Sequence, residues 1–148
     1  MTIPVQDIEA VSEEIVQEFA FFDDWMGRYE HLIEMGRVLG DFPDNLRKDE
    51  FRIRGCQAQV WLIPELQNGR VRFLADSDAM ITKGLIGLLV RVLDGRLPGE
   101  IMHADLSFLD RIGMKEHLSP TRKNGLDAMI KQIRLYAIGL DSEGTHGD

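Results

Sequence analysis

The chain has 148 residues, 44% of them hydrophobic and 28% charged, with a formal net charge of −8. That length suits one domain with its own core, residues 1–140, and that charge excludes nucleic acid or an anionic membrane surface as partner, since both reward positive charge. No apolar run approaches the ~20 residues that span a bilayer, the amino-terminal MTIPVQDIEAVSEE lacks the basic and apolar regions of a secretory leader, and a single cysteine closes no internal disulfide, so a cytoplasmic protein is expected.

Helical spacing comes first. Ile8, Val11, Ile15, Phe19 and Phe22 recur at three or four residues. Asp23 or Asp24 can cap a second helix whose apolar face is Trp25, Tyr29, Leu32, Ile33 and Gly36. It should end before the turn-forming DFPDN around Pro43. The period then becomes two. Phe51 and Ile53, then Ala58, Val60 and Leu62, then Val71, Phe73 and Ala75 alternate with their neighbours, which predicts three antiparallel strands. The last two are joined through QNG, residues 67–69, a hairpin signal because Asn-Gly accepts positive φ at little cost. Pro64 assigns its strand to an edge or a bulge.

Helical spacing returns with Ile81, Leu85, Leu88, Leu89 and Val92, ending at Gly95. Short helices fit residues 99–103 and 106–112. A long last helix over 120–137 has Ser119 as cap, Pro120 in its first turn, and Leu126, Met129, Ile130, Ile133 and Tyr136 as its stripe. Residues 141–148, DSEGTHGD, read as a flexible polar tail. The order predicts an α+β fold: a three-stranded antiparallel sheet packed against helices on one face.

Chemistry centres on FRIRGCQAQVW, residues 51–61, where Cys56 sits at the expected turn between two strands. Structural zinc or iron–sulfur sites need several Cys or His ligands at short spacings; here His31, His103, His117 and His146 are scattered, so no metal is expected. A phosphatase-type Cys-x5-Arg loop fails because residue 62 is Leu, and a papain-like sequence context is absent. A cysteine-dependent hydrolase or transferase with His103 or His117 as base stays open as the alternative. A free thiol is only roughly 3% ionised at neutral pH. Arg52 and Arg54 are placed to favour the thiolate if they face it, and Gly55 permits a tight turn with little bulk around the sulfur. From the local residues alone, a reactive thiol and a cysteine packed as a small hydrophobe are equally open.

Three stretches resemble the SufE family of sulfur acceptors. GCQAQVW, residues 55–61, resembles its GCQSQVW signature; ADSDAMITKGLIGLLV, residues 75–90, resembles its DSDA…KGL segment; HLSPTRKNGLDAMI, residues 117–130, resembles its closing HL(T/S)PSRxxGLxAM motif. They lie in the family's order and the resemblance runs from about Val11 to Tyr136. It implies a SufE/IscU-like fold and a carrier whose Cys56 takes persulfide sulfur from a SufS-type or CsdA-like cysteine desulfurase, stimulates that enzyme, and passes the sulfur to a SufBCD-type scaffold. Pyridoxal phosphate would belong to the desulfurase, and the carrier itself would need no cofactor or metal. IscU-type scaffolds hold clusters with several cysteines, so one cysteine excludes that role.

The resemblance further implies a monomer or homodimer, with the acceptor sulfur sheltered in an apolar cavity. Gly55, Gln57, Gln59, Asp78, Arg122 and Asn124 would support the loop or the docking surface. Local readings stand beside these: Asp78 as a helix cap, Lys83 as a solvated helix residue, Trp61 as core. Arg122 would be a cation in a helix first turn, where the macrodipole opposes it, which favours a tertiary or partner contact. Ala58 stands where the family has serine, and Thr121 replaces another serine. Arg52 and Arg54 lie outside the family pattern.

Overall fold

The computed structural model describes residues 6–146, with side chains through Asp141. Two capped helices open the described chain. In α1 (Ile8–Ala20) Asp7 accepts the Ala10 N–H at 2.7 Å, and Val11, Ile15 and Phe19 are buried. In α2 (Trp25–Arg37) the cap is Asp24, which accepts from Gly27 N at 2.8 Å. These carboxylates satisfy amide donors that the first helical turn leaves without partners.

Among the described residues the sheet has two strands, β1 (Val60–Gln67) and β2 (Arg70–Ser77), paired antiparallel from Val60 opposite Ser77 to Gln67 opposite Arg70. The expected third strand does not form. Phe51 closes a 3-10 turn over Asp49–Phe51, Arg52 makes one isolated bridge to Trp61, and Ile53 N donates to Val60 O at 2.8 Å. Gly55, at φ +93, then turns the chain away before a ladder can extend. The Asn-Gly hairpin forms as expected, with φ of 53 at Asn68 and 80 at Gly69. Pro64 lies opposite Phe73, whose N–H is turned outward to the Asp94 carboxylate at 2.7 Å, so the amide that proline lacks is not needed for pairing there. The outer edge of β2 is covered in turn by the bond from Val71 N to Arg96 O at 2.8 Å.

Val60, Leu62, Val71, Phe73 and Ala75 join the main core. Trp61 is buried as expected, but on the other face, beneath Phe42 and the Arg47 guanidinium. Arg47 also meets the buried carboxylate of Asp76 at 2.6 Å, and Lys83 reaches the same carboxylate at 3.2 Å. Lys83, expected to be solvated, is therefore an ion-pair partner.

At the centre lies α3 (Met80–Leu93). Its buried residues include Thr82, Gly84, Leu85, Ile86, Gly87, Leu88, Leu89, Val92 and Leu93, so it is enclosed well beyond the single stripe expected. The glycines let α2 cross it with backbones in contact. A Cβ at Gly84 would stand 2.3 Å from Leu32 O, and one at Gly87 2.5 Å from Met35 O. Three short helices follow, α4 (Pro98–Met102), α5 (Phe108–Arg111) and α6 (Met114–His117). The last helix, α7 (Pro120–His146), buries Leu126, Met129, Ile133 and Ala137. It continues past Ala137 through much of the segment expected as an irregular tail, and residues 147–148 lie outside the described residues. Among the described residues no helix is long and apolar enough to cross a membrane.

Candidate functional site

Cys56 lies on the loop that leads into β1, not at a turn between two strands, because residues 51–53 do not form one. The loop lies over α7. The half-buried Sγ donates to the Gly125 carbonyl at 3.6 Å, and a Cβ on Gly125 would stand 3.4 Å from the sulfur. One position earlier, a Cβ on Gly55 would lie 3.2 Å from the Ala128 side chain at a backbone angle that L-residues rarely adopt. Glycine at 55 thus permits both the turn and the close seat of the loop on α7.

The far end of the loop is fixed by Asp78. Gln59 N donates to the Asp78 carboxylate at 2.9 Å, Asp78 N donates back to Gln59 O at 3.2 Å, and Ser77 Oγ donates to the same carbonyl at 2.8 Å. The expected role of Asp78 as the cap of α3 is not what the structure has: the cap residue is Ala79, with no side-chain cap bond. Ala58 offers no hydroxyl to this loop, whose bonds here come from the Gln59 backbone, Asp78 and Ser77.

Cys56 borders a cleft of about 500 Å³ with Gln57, Ala58, Ala79, Thr82, Leu85, Ser119, Thr121, Arg122, Gly125 and Met129. Leu85, Met129 and the two alanines give the cleft apolar lining, and Gln57, Thr82, Ser119, Thr121 and Arg122 give it polar lining. Ser119 Oγ accepts from Arg122 N at 3.3 Å, so the first turn of α7 is anchored at this rim. A second, smaller cleft that also includes Cys56 is lined by Asp49, Arg52, Ile53, Arg54 and Gly55.

Burial pushes the Cys56 thiol above its ordinary pKa, and the Arg52 charge pulls it back only in part. Arg52 does favour the thiolate, as expected of a guanidinium near the sulfur, but burial has the larger effect, and Arg54 contributes no shift of the thiol. Desolvation wins, and the resting group is a protonated thiol. Arg52 sits 3.8 Å from the Asp49 carboxylate, which blunts its charge, and Arg54 is exposed.

Of the other residues singled out, Gln57 and Arg122 share the cleft with Cys56, while Gln59 and Asn124 are exposed and border neither cleft. Sequence reasoning missed the Gly125 carbonyl, Thr82 and Met129; Gly125 lay within the closing motif but carried no chemical signal of its own. No described histidine side chain supplies a base beside Cys56. His117 stacks on Trp25 at 3.7 Å with Nδ1 against Gly113 O, His31 meets Glu18, and His103 lines a separate cleft beside α1.

The family model of the SufE Fe-S metabolism associated domain matches residues 13–137. The chain belongs to the SufE family. This SufE-family chain is 36% identical over 132 residues to an uncharacterised SufE-like protein of Rhizobium meliloti, covering 86% of this chain and 94% of that one. It is 36% identical over 127 residues to another from Rhizobium etli, covering 82% and 86%. The solution structure of a hypothetical protein from Thermus thermophilus superposes with a TM-score of 0.73 at 20% identity, over 89% of this chain and 96% of that one, a likeness of fold.

Proposed function

We propose that this chain is a cytoplasmic sulfur carrier for iron–sulfur cluster assembly, loaded at Cys56 by a cysteine desulfurase. The Cys56 thiolate attacks the terminal sulfur of the donor's persulfide. A sulfur–sulfur bond forms on Cys56, the bond inside the donor's persulfide breaks, and the donor cysteine leaves as a thiolate. Removing that persulfide frees the desulfurase for another turnover, and the carrier would then deliver its sulfur to a SufBCD-type scaffold. Pyridoxal phosphate would serve the desulfurase alone.

The observation that supports this most is the seat of the sulfur: one thiol at the edge of a cleft of about 500 Å³, with space for a further sulfur atom. The resting contact also suits a carrier that waits for its partner. The thiol is a donor to Gly125 O, and neither a thiolate nor an ionised persulfide can make that bond. Ionisation therefore turns a weak attraction into repulsion between sulfur and carbonyl, which favours release of the sulfur from α7 as it becomes nucleophilic.

The test is an intact mass, taken without reductant, after incubation with a cysteine desulfurase and L-cysteine. We expect a gain of one or more sulfur atoms that is absent in Cys56→Ser, together with faster desulfurase turnover. Unchanged mass and unchanged turnover would overturn the carrier role.

A further inference from the structure

The charge around the thiol is opposite in sign to the charge of the chain. Aspartate and glutamate outnumber lysine and arginine 25 to 17. Yet the charged residues lining the two clefts that flank Cys56 are Arg52, Arg54 and Arg122 against Asp49 alone. Asp49 stands 3.8 Å from Arg52 and offsets it. That leaves Arg54 in one cleft beside Cys56 and Arg122 in the other, both exposed. Among the described residues neither guanidinium has an ion pair or a hydrogen bond, although the chain has carboxylates in excess.

A third positive contribution comes from the backbone. The first turn of α7 borders the main cleft through Thr121 and Arg122, and a helix amino terminus carries roughly half a positive charge. Arg122 is locally disfavoured there by the same dipole, so nothing within α7 explains a cation at this position. Two arginines without partners among the described residues, one in each cleft bordered by the nucleophile, can take counter-charges from a docking protein.

We propose that the protein delivering sulfur to Cys56 meets it through an acidic rim, with carboxylates of the donor on both sides of its persulfide cysteine, facing Arg54 and Arg122. This rests on the carrier role argued above and adds the chemistry of the partner's surface. Arg54 is its sharpest element, being exposed, adjacent to the loop glycine, and without a partner among the described residues. Docking excludes the water that screens both arginines in the free protein, so their attraction to the donor grows as the loop is covered. The same field draws an anionic persulfide toward the thiol and makes encounter depend on salt.

The experiment compares two reactions of Cys56 by intact mass. One is sulfur transfer from a SufS-type cysteine desulfurase with L-cysteine; the other is exchange with hydroxyethyl disulfide, a neutral probe that reports the thiol's own reactivity. Arg54→Glu and Arg122→Glu should each lower the ratio of the two rates roughly tenfold at low ionic strength, with the loss closing at high salt. Arg37→Glu changes the net charge equally at the far end of α2, outside both clefts, and should leave the ratio as it was. If both cleft variants keep the wild-type ratio at low salt, the acidic-rim proposal is overturned while the carrier role stands. The proposal also fails if the ratio falls equally at every salt concentration, since charge would then not be the cause. If wild-type protein gains no sulfur at all, the carrier role itself fails and the proposal with it.

Discussion

Glycine brings two pairs of elements into close contact in this molecule, with opposite consequences. At the crossing of α2 and α3 the approach is backbone on backbone, and a Cβ at Gly84 would stand 2.3 Å from the Leu32 carbonyl oxygen. At the cysteine loop the approach is sulfur on carbonyl, and a Cβ at Gly125 would meet Sγ at 3.4 Å, an ordinary contact. The first contact sits among fully buried side chains of α3, where nothing can move aside. The second rests on one weak S–H donor and the polar tether at Gln59. One is built to stay closed, and the other can open without disturbing the core.

The largest expected effect tests that contrast directly. Gly84→Ala should destabilise the fold by roughly 3 kcal/mol, because a backbone oxygen cannot yield to the new methyl group. Gly125→Ala should change stability by no more than about 1 kcal/mol, since helix propensity favours alanine and the methyl finds ordinary contact distance. Urea midpoints measure both. Equal losses at the two sites would show that the cysteine loop is packed as rigidly as the core.

A substitution that opens the loop should have an intermediate effect. In Asp78→Ala, Gln59 N loses its carboxylate acceptor, one of the three hydrogen bonds that fix this end of the loop. We expect a stability cost of about 1 kcal/mol and an alkylation rate at Cys56 that rises several-fold. An unchanged alkylation rate would mean that the contact with Gly125, rather than the tether, keeps the loop closed.

The same contrast explains which parts of the molecule were legible in its sequence. The helices of the core show themselves because Val11, Ile15 and Phe19, or Leu85, Leu88 and Val92, recur with the helical period, and burial follows that period. The Asn68-Gly69 turn is equally legible, since few pairs accept its backbone angles. The cysteine loop is not periodic. Phe51 and Ile53 alternate like strand residues, yet a 3-10 turn before them and Gly55 after them leave room for a single bridge. Asp78 looks like a helix cap because it precedes α3, but its carboxylate bonds a residue 19 positions away. The sign of the Cys56 shift stayed open in the sequence for a related reason. Sequence places charges near the sulfur but gives no measure of desolvation, which depends on how α7 covers the loop. Membership of the SufE family came from motifs rather than periodicity, and the motif glycines Gly84 and Gly125 acquire their physical reasons only when the elements are assembled.

The smallest expected effect concerns protons. Burial raises the Cys56 pKa, so the folded chain holds this proton more tightly than the unfolded chain, whose thiol ionises near ~8.5. The stabilisation this implies is complete below the unfolded value and is lost as pH rises from there through the folded value. Wild-type stability should therefore fall more steeply than that of Cys56→Ser across this alkaline window. The alkylation rate of native protein should reach its midpoint above the free-cysteine value, and Arg52→Gln should move the midpoint further up, because the lost charge had favoured the thiolate. A native midpoint at or below the free-cysteine value would mean that the arginine outweighs burial. The loop would then carry an activated thiol at rest, and opening on α7 would cease to be what controls its reactivity.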